Sequence, residues 1–222
     1  MALIKTGHQD EAIALLFEIE KKDKWNPQAH YLLGTHFMGA GNLAKAQQHL
    51  QKALEEKPDF EDAAVNMALV LCEMGDTMEA VRRMRPLIRK APDSARVSFF
   101  YGVILYRHGD YKEALSKYQK ALSVEPDYME ARIGLGEVLL RLSRLEEAEA
   151  IFRDILAERA DSIPCLYLMG LCLIRKADAA ATPEEKQAAD AEALHCFERV
   201  NALDPAHLDA QANRALMMGR IE

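Results

Sequence analysis

The residues best equipped for chemistry in this 222-residue chain are four cysteines and seven histidines. Paired thiols would offer redox or zinc chemistry, and two imidazoles one helical turn apart would offer a metal site or a general base. The local sequence supplies neither. Cys72, Cys165, Cys172 and Cys196 include no CxxC pair, and Cys165 and Cys172 stand seven apart, which on a helix is about 10 Å and too far for a disulfide. They are expected to be small buried apolar side chains in a reducing compartment. The histidines, among them His30, His36 and His195, show no i, i+4 pairing and are expected on the surface or in packing. HExxH, GxSxG, Walker-type and GxGxxG motifs do not occur in the sequence. The acidic run Glu146-Glu147-Ala148-Glu149 suits the first turn of a helix, where carboxylates meet the positive end of the macrodipole. No enzymatic activity, cofactor or metal is therefore expected.

Bulk properties exclude further classes. The net charge is −7, and no run of five basic residues offers a footprint for polyphosphate, so nucleic acid is not expected as a partner. Half the chain is apolar, enough for a substantial core. Its least polar stretch, Ser98-Phe-Phe-Tyr-Gly-Val-Ile-Leu-Tyr106, is far short of the roughly 18 residues a membrane span needs. The opening residues MALIKTGHQDEA carry no basic region followed by an apolar stretch. A cytoplasmic location is expected, with a periplasmic or envelope location as the alternative for a truncated N-terminus.

The element that must hold these residues emerges when the chain is laid against itself. Gly34, Ala68, Gly102, Gly136 and Gly170 recur every 34 residues. So do Gly7, Gly41, Gly75, Gly109, Ser143 and Ala177, and a third row of Ala12, Ala46, Ala80, Ala114 and Ala148. Large apolar residues form a fourth row at Leu16, Leu50, Met84, Tyr118 and Phe152, while Pro58, Pro92 and Pro126 close three units. Each unit reads as two helices with a turn. In the unit beginning at Ala95, residues 95–108 and 111–124 are predicted helices separated by His108-Gly109-Asp110. Gly109 suits the left-handed residue that ends a helix, and Pro126 lacks the N–H needed to continue one. Gly102 inside a helix costs about 1 kcal/mol relative to alanine, so its recurrence at one phase points to close packing.

Strings such as YLLGTHFMGAGNLAKAQQHLQKALEEKP (31–58) and FYGVILYRHGDYKEALSKYQKALSVEP (100–126) resemble the tetratricopeptide repeat (TPR), a 34-residue helix–turn–helix unit. The resemblance spans essentially the whole chain. It implies an all-α fold, an α-solenoid in which antiparallel helix pairs stack into a right-handed superhelix. Full repeats are placed at 27–60, 61–94, 95–128, 129–162 and 163–207, with a partial repeat at 1–26, a terminal helix at 208–222 and the whole taken as one domain. Departures are local: the aromatic residue early in the family's first helix is replaced by His30, Ala64, Ser98, Arg132 and Leu166, and the closing proline by Ala160. In the fifth repeat the rows resume at Ala193, Phe197 and Pro205, 45 residues on instead of 34. Thr182-Pro183-Glu184-Glu185 reads as a cap, a first-turn proline and a capping-box acid, so the insertion near 178–188 is expected to start the second helix about seven residues early. Leu3 and Gly7 place the start of the chain inside a preceding repeat, and a piece of a longer array is expected.

Within SFFYGVILY, Tyr101, Gly102 and Leu105 are assigned to neighbouring helices, and Phe99, Val103 and Tyr106 to a second stripe at i, i+4, i+7. In the TPR family that stripe lines the concave face, where partner peptides bind. Following it through the repeats gives Tyr31, Val65, Ile133 and Tyr167, then Leu69 and Leu171, then Met38, Cys72, Leu140 and Ile174, flanked by Arg107, Arg141, Arg175 and Arg220. An apolar trough with a basic margin would suit a peptide or helix carrying hydrophobic anchors and acidic flanks. The alternative is that part of the stripe packs within the solenoid. Against the family's two-carboxylate clamp, the matching positions Tyr31, Thr35, Asn66, Arg96 and Phe100 fit only at Asn66 and Arg96, and no asparagine ladder follows Asn66. The function expected is a non-catalytic protein–protein interaction module, a scaffold holding a partner protein without membrane insertion. The alternatives are a self-associating array and the recognition segment of a larger enzyme or secretion-assembly protein.

Overall fold

The computed structural model describes residues 9–221, and Leu3 and Gly7 lie outside the described residues. Twelve helices and no strands form among the described residues. They are α1 (Gln9–Lys22), α2 (Pro27–Gly39), α3 (Leu43–Glu56), α4 (Glu61–Glu73), α5 (Thr77–Lys90), α6 (Ala95–His108), α7 (Tyr111–Val124), α8 (Met129–Arg141), α9 (Leu145–Glu158), α10 (Ile163–Ala179), α11 (Pro183–Leu203) and α12 (Leu208–Ile221). The fold is all-α, an α-solenoid built of helix pairs joined by short turns, which make sequence neighbours antiparallel.

Local chemistry sets the helix ends. Asn42 and Asp76 accept a hydrogen bond from the backbone N–H three residues on, and Asn26 and Ser94 do the same at α2 and α6. The second sequence row supplies the stops. Gly41, Gly75 and Gly109 adopt positive φ of 72°, 91° and 94°. The N–H of the residue after each donates to a carbonyl five residues back, Asn42 to Phe37, Asp76 to Leu71 and Asp110 to Leu105, which is the Schellman closure. Ser143 is forced into the same conformation at φ 59°, with Arg144 N–H on the Leu139 carbonyl.

The first and fourth rows interlock. A Cβ added at Gly34 would lie 2.7 Å from Leu50, and one added at Gly170 would lie 2.6 Å from the Phe197 ring. One added at Gly136 would overlap Phe152. In these three repeats the small residue of the first helix thus makes room for the large residue of its own second helix, and Leu50, Met84, Phe152 and Phe197 are fully buried.

Helix contacts divide the chain into two compact units that meet at Asp110 and Tyr111, between the two helices of the third repeat. In the first unit α2 pairs with α3 and α4 with α5, while the first helices also touch one another, α2 with α4 and α4 with α6. In the second unit α8 pairs with α9 and α10 with α11, and α8 touches α10 in the same manner.

The insertion lengthens both helices of the fifth repeat. Thr182 caps α11 as expected, its hydroxyl accepting from Glu185 N–H at 3.2 Å while the Glu185 carboxylate accepts from Thr182 N–H at 3.3 Å. The first helix grows too, because Ala177 stands where a left-handed residue would stop it, and α10 runs on to Ala179 for 17 residues. The extended pair receives α12 through ion pairs: Arg220 lies 3.0 Å from the buried carboxylate of Asp190 on α11 and 2.7 Å from Asp178 on α10.

The left-handed conformation costs a non-glycine residue roughly 1–2 kcal/mol. Ser143→Gly is expected to stabilise the fold by about 1 kcal/mol, read as a raised urea midpoint at unchanged m-value. An unchanged or lowered midpoint would contradict the assignment of strain to this turn.

Candidate functional site

The stripe divides between the units. In the first, Tyr31 sits on α2, Val65 and Leu69 on α4, and Phe99, Val103, Tyr106 and Arg107 on α6. Tyr31, Leu69, Phe99, Val103 and Tyr106 are half-buried and Arg107 is exposed. The Tyr31 ring packs at 4.9 Å against Phe60, and Phe99 meets Phe100 edge-on at 5.0 Å. Val65 departs from the expectation, being 0% exposed. Its helix α4 is flanked by both α2 and α6, so the side chain is core and offers no surface to a partner. Cys72 on the same helix is buried as well.

In the second unit the expected residues converge. Leu140 and Arg141 of α8 and Tyr167, Leu171 and Arg175 of α10 line one hollow of about 280 Å³, with Glu137, Leu168 and Ile174 completing it. Leu140, only 4% exposed, is a core residue that reaches the hollow with part of its surface, which corrects its placement on an open stripe. Ile133 is half-buried against the core of this unit and does not line the hollow. Tyr167 is held by the Phe197 and His207 rings at 6.0 and 5.0 Å, and Asn213 Nδ2 donates to its hydroxyl at 3.5 Å. Burial, with the nearby Asp209 charge, raises the pKa of that phenol.

The arginine row is less free than its spacing implied. Arg175 donates at 2.7 Å to the Leu140 carbonyl, which also accepts from the Ser143 N–H at the end of α8. Arg107 lies 3.9 Å from Glu73, and Arg220 is committed to Asp178 and Asp190. These cations reach back to the first helix of the preceding repeat, α6 to α4, α10 to α8 and α12 to α10, while Arg107, Arg141 and Arg175 keep solvent-facing surface. The two clamp-like residues are also engaged internally. Asn66 donates to the Thr35 hydroxyl at 3.0 Å, and Arg96 pairs with Asp62 while covering the Phe100 ring.

Two features were not foreseen from spacing. Exposed apolar side chains stand on α1 (Leu15, Phe17, Ile19) and on α12 (Leu208, Leu216, Met218). Separately, Glu20, His30 and His49 bring three metal-ligating atoms within 4.8 Å of one another. The cysteines behave as expected of packing residues, since all four are buried and unbridged. Burial pushes the Cys165 thiol up to about 12 and those of Cys172 and Cys196 up to about 11.

Comparison with known proteins agrees with this architecture. Tetratricopeptide-repeat profiles match residues 27–60, 65–123 and 105–172, together more than half of the chain. TTC0263 of Thermus thermophilus, a thermophilic TPR protein, is 21% identical with a TM-score of 0.69, over 86% of this chain and 98% of its own. YrrB, described as a TPR protein with an unusual peptide-binding site, is 18% identical with a TM-score of 0.61, over 90% of this chain and 97% of its own. PilF of Pseudomonas aeruginosa is 21% identical with a TM-score of 0.62, covering 85% and 96%. At these identities the likeness is one of fold. No curated protein matches the chain. The chain belongs to the tetratricopeptide repeat family, whose fold serves in general as a scaffold for protein–protein interaction and is typically non-catalytic. Among the described residues, no helix is long and apolar enough to cross a membrane.

The raised thiol pKa values carry a pH dependence. Unfolded thiols ionise near pH 9 while the buried ones stay protonated, so the unfolded state binds fewer protons and stability falls as pH rises from about 9 towards 12. At pH 8, Cys165, Cys172 and Cys196 are expected to resist a disulfide-exchange reagent in the folded protein and to react fully in denaturant. Rapid labelling of the folded protein would contradict their burial.

Proposed function

We propose that this chain is a non-catalytic scaffold that holds a peptide or helical segment of a partner protein along its first helices. The observation carrying this reading is the hollow on α8 and α10, where Leu140, Tyr167, Leu171 and Ile174 supply apolar wall and Arg141 and Arg175 supply positive charge. Within the first unit, Leu69, Phe99, Val103, Tyr106 and Arg107 present apolar and basic side chains on α4 and α6, with Tyr31 on α2; within the second, Ile133 lies half-buried on α8. The partner segment would carry one or two large apolar anchors beside acidic residues, the anchors giving affinity and the charges steering and register. The fold likeness to YrrB, described as having a peptide-binding site, supports a peptide as the kind of ligand. Buried free thiols suit a reducing compartment, and we place the protein in the cytoplasm.

A second reading is self-association, favoured by the exposed apolar residues of α1 and α12. Sedimentation separates the two, because self-association gives a mass that rises with concentration and peptide binding does not require one.

The test is a library of amphipathic peptides with Leu or Phe anchors and Asp or Glu flanks, screened against the folded protein. Selected peptides are expected to lose about tenfold or more in affinity for Leu171→Ala, and about tenfold at low salt for Arg141→Glu, with little change in melting temperature. Unchanged affinity in both variants, or a library that yields no binder, would sink the proposal.

A further inference from the structure

Three residues from three helices of the first unit converge beside its core. Glu20 comes from the last turn of α1, His30 from the start of α2 and His49 from α3. His30 and His49 are buried, and their Nδ1 atoms face each other at 3.2 Å. The Glu20 carboxylate oxygen lies 3.7 Å from the first and 4.0 Å from the second. We propose that Glu20, His30 and His49 form a binding site for a divalent cation of the zinc type, with water as the fourth ligand.

The geometry of His30 is the strongest part of the case. Its Nε2 lies 2.9 Å from the Lys24 carbonyl, which only accepts, so the ring proton sits on Nε2 and the Nδ1 lone pair points at His49 and Glu20. A backbone carbonyl fixing the far nitrogen is the usual outer partner of a metal-bound imidazole. Two ligands bonded to tetrahedral zinc at about 2.05 Å stand about 3.3 Å apart, and the two Nδ1 atoms already have that separation within about 0.1 Å. Glu20 needs to close by roughly half an ångström, within the swing of a carboxylate.

Metal binding requires one change of tautomer at His49. Without a cation, its Nδ1–H donates to the His30 lone pair. With one, that proton moves to Nε2 and the freed lone pair takes the metal, so the imidazole remains neutral. Burial, opposed in part by the Glu20 charge, holds the His49 pKa below its ordinary value. Its ring is also fixed by stacking on Phe37 at 5.4 Å. Lys52, whose Nζ lies 3.4 Å from the Glu20 carboxylate, is the competing cation. Its side chain is 41% exposed and has solvent to swing into when the metal displaces it. A bound cation would tie α1 to the first full repeat through ligands from both of that repeat's helices.

Trp25, the sole tryptophan, is adjacent to Lys24 and provides a reporter. The experiment titrates Co²⁺ into the chelator-treated full chain, following Trp25 quenching and visible absorption, and repeats the series with Zn²⁺ against melting temperature. Wild type is expected to saturate at one equivalent, with absorption typical of tetrahedral cobalt and a melting temperature that rises with Zn²⁺. Glu20→Gln, at a partly exposed position tolerant of the change, is expected to weaken binding at least tenfold. His49→Gln is expected to abolish it, while His195→Gln leaves it unchanged. Absence of saturable binding, or equal binding by wild type, Glu20→Gln and His49→Gln, would overturn the site.

Discussion

The contact on which the rest of this structure depends is the fit of a large apolar side chain into the gap left by a missing one. In the described geometry Leu50, Phe152 and Phe197 occupy the space where Gly34, Gly136 and Gly170 have no Cβ. The second helix of each of these repeats therefore lies close to the first, and the pair is dense at its centre. Glycine within a helix loses about 1 kcal/mol of intrinsic propensity at each such position, and the burial of a whole Phe or Leu side chain, worth roughly 1.5–3 kcal/mol, outweighs it. Met84 is fully buried at the phase where Ala68 replaces glycine, so the repeats vary both members of the pair rather than one.

That contact commits one face of each first helix and leaves a second face with a different fate in different places. Where a first helix has neighbours on both sides, as α4 has α2 and α6, part of the second face is covered and Val65 becomes core. Where α8 and α10 meet, Tyr167, Leu171 and Ile174 remain half-open beside Arg141 and Arg175. The arginine row bridges first helices of successive repeats: Arg175 donates to a helix-end carbonyl of α8, and Arg220 compensates the buried Asp190, which alone would be costly to leave charged. A peptide meeting this surface would encounter cations already fixed in place, which lowers the entropic cost of pairing with them.

The fold was legible in the sequence because its constraints are periodic. Gly41, Gly75 and Gly109 stop helices wherever the row places them, and Ser143 shows that the turn is imposed by the repeat even on a residue that resists it. Ala177 marks the limit of such reading: the row continues, but alanine cannot take the turn cheaply, and the helix extends instead. The candidate site was legible in residue identity and less so in exposure, since Val65 and Leu140 share the phase of half-buried residues and are buried by neighbours that spacing alone does not reveal. The cluster of Glu20, His30 and His49 was invisible, because intervals of 10 and 19 residues match neither helical periodicity nor any metal motif. It arises where two turns bring three helices together.

The most direct measurement of the central claim is a double-mutant cycle at Gly170 and Phe197, using Gly170→Ala and Phe197→Met to recreate the combination found at Ala68 and Met84. Overpacking against the aromatic ring gives Gly170→Ala an expected loss of about 1–3 kcal/mol, and the double variant is expected to recover about 1 kcal/mol or more of the summed losses. Strict additivity, or a harmless Gly170→Ala, would show that the missing Cβ is not what admits the ring.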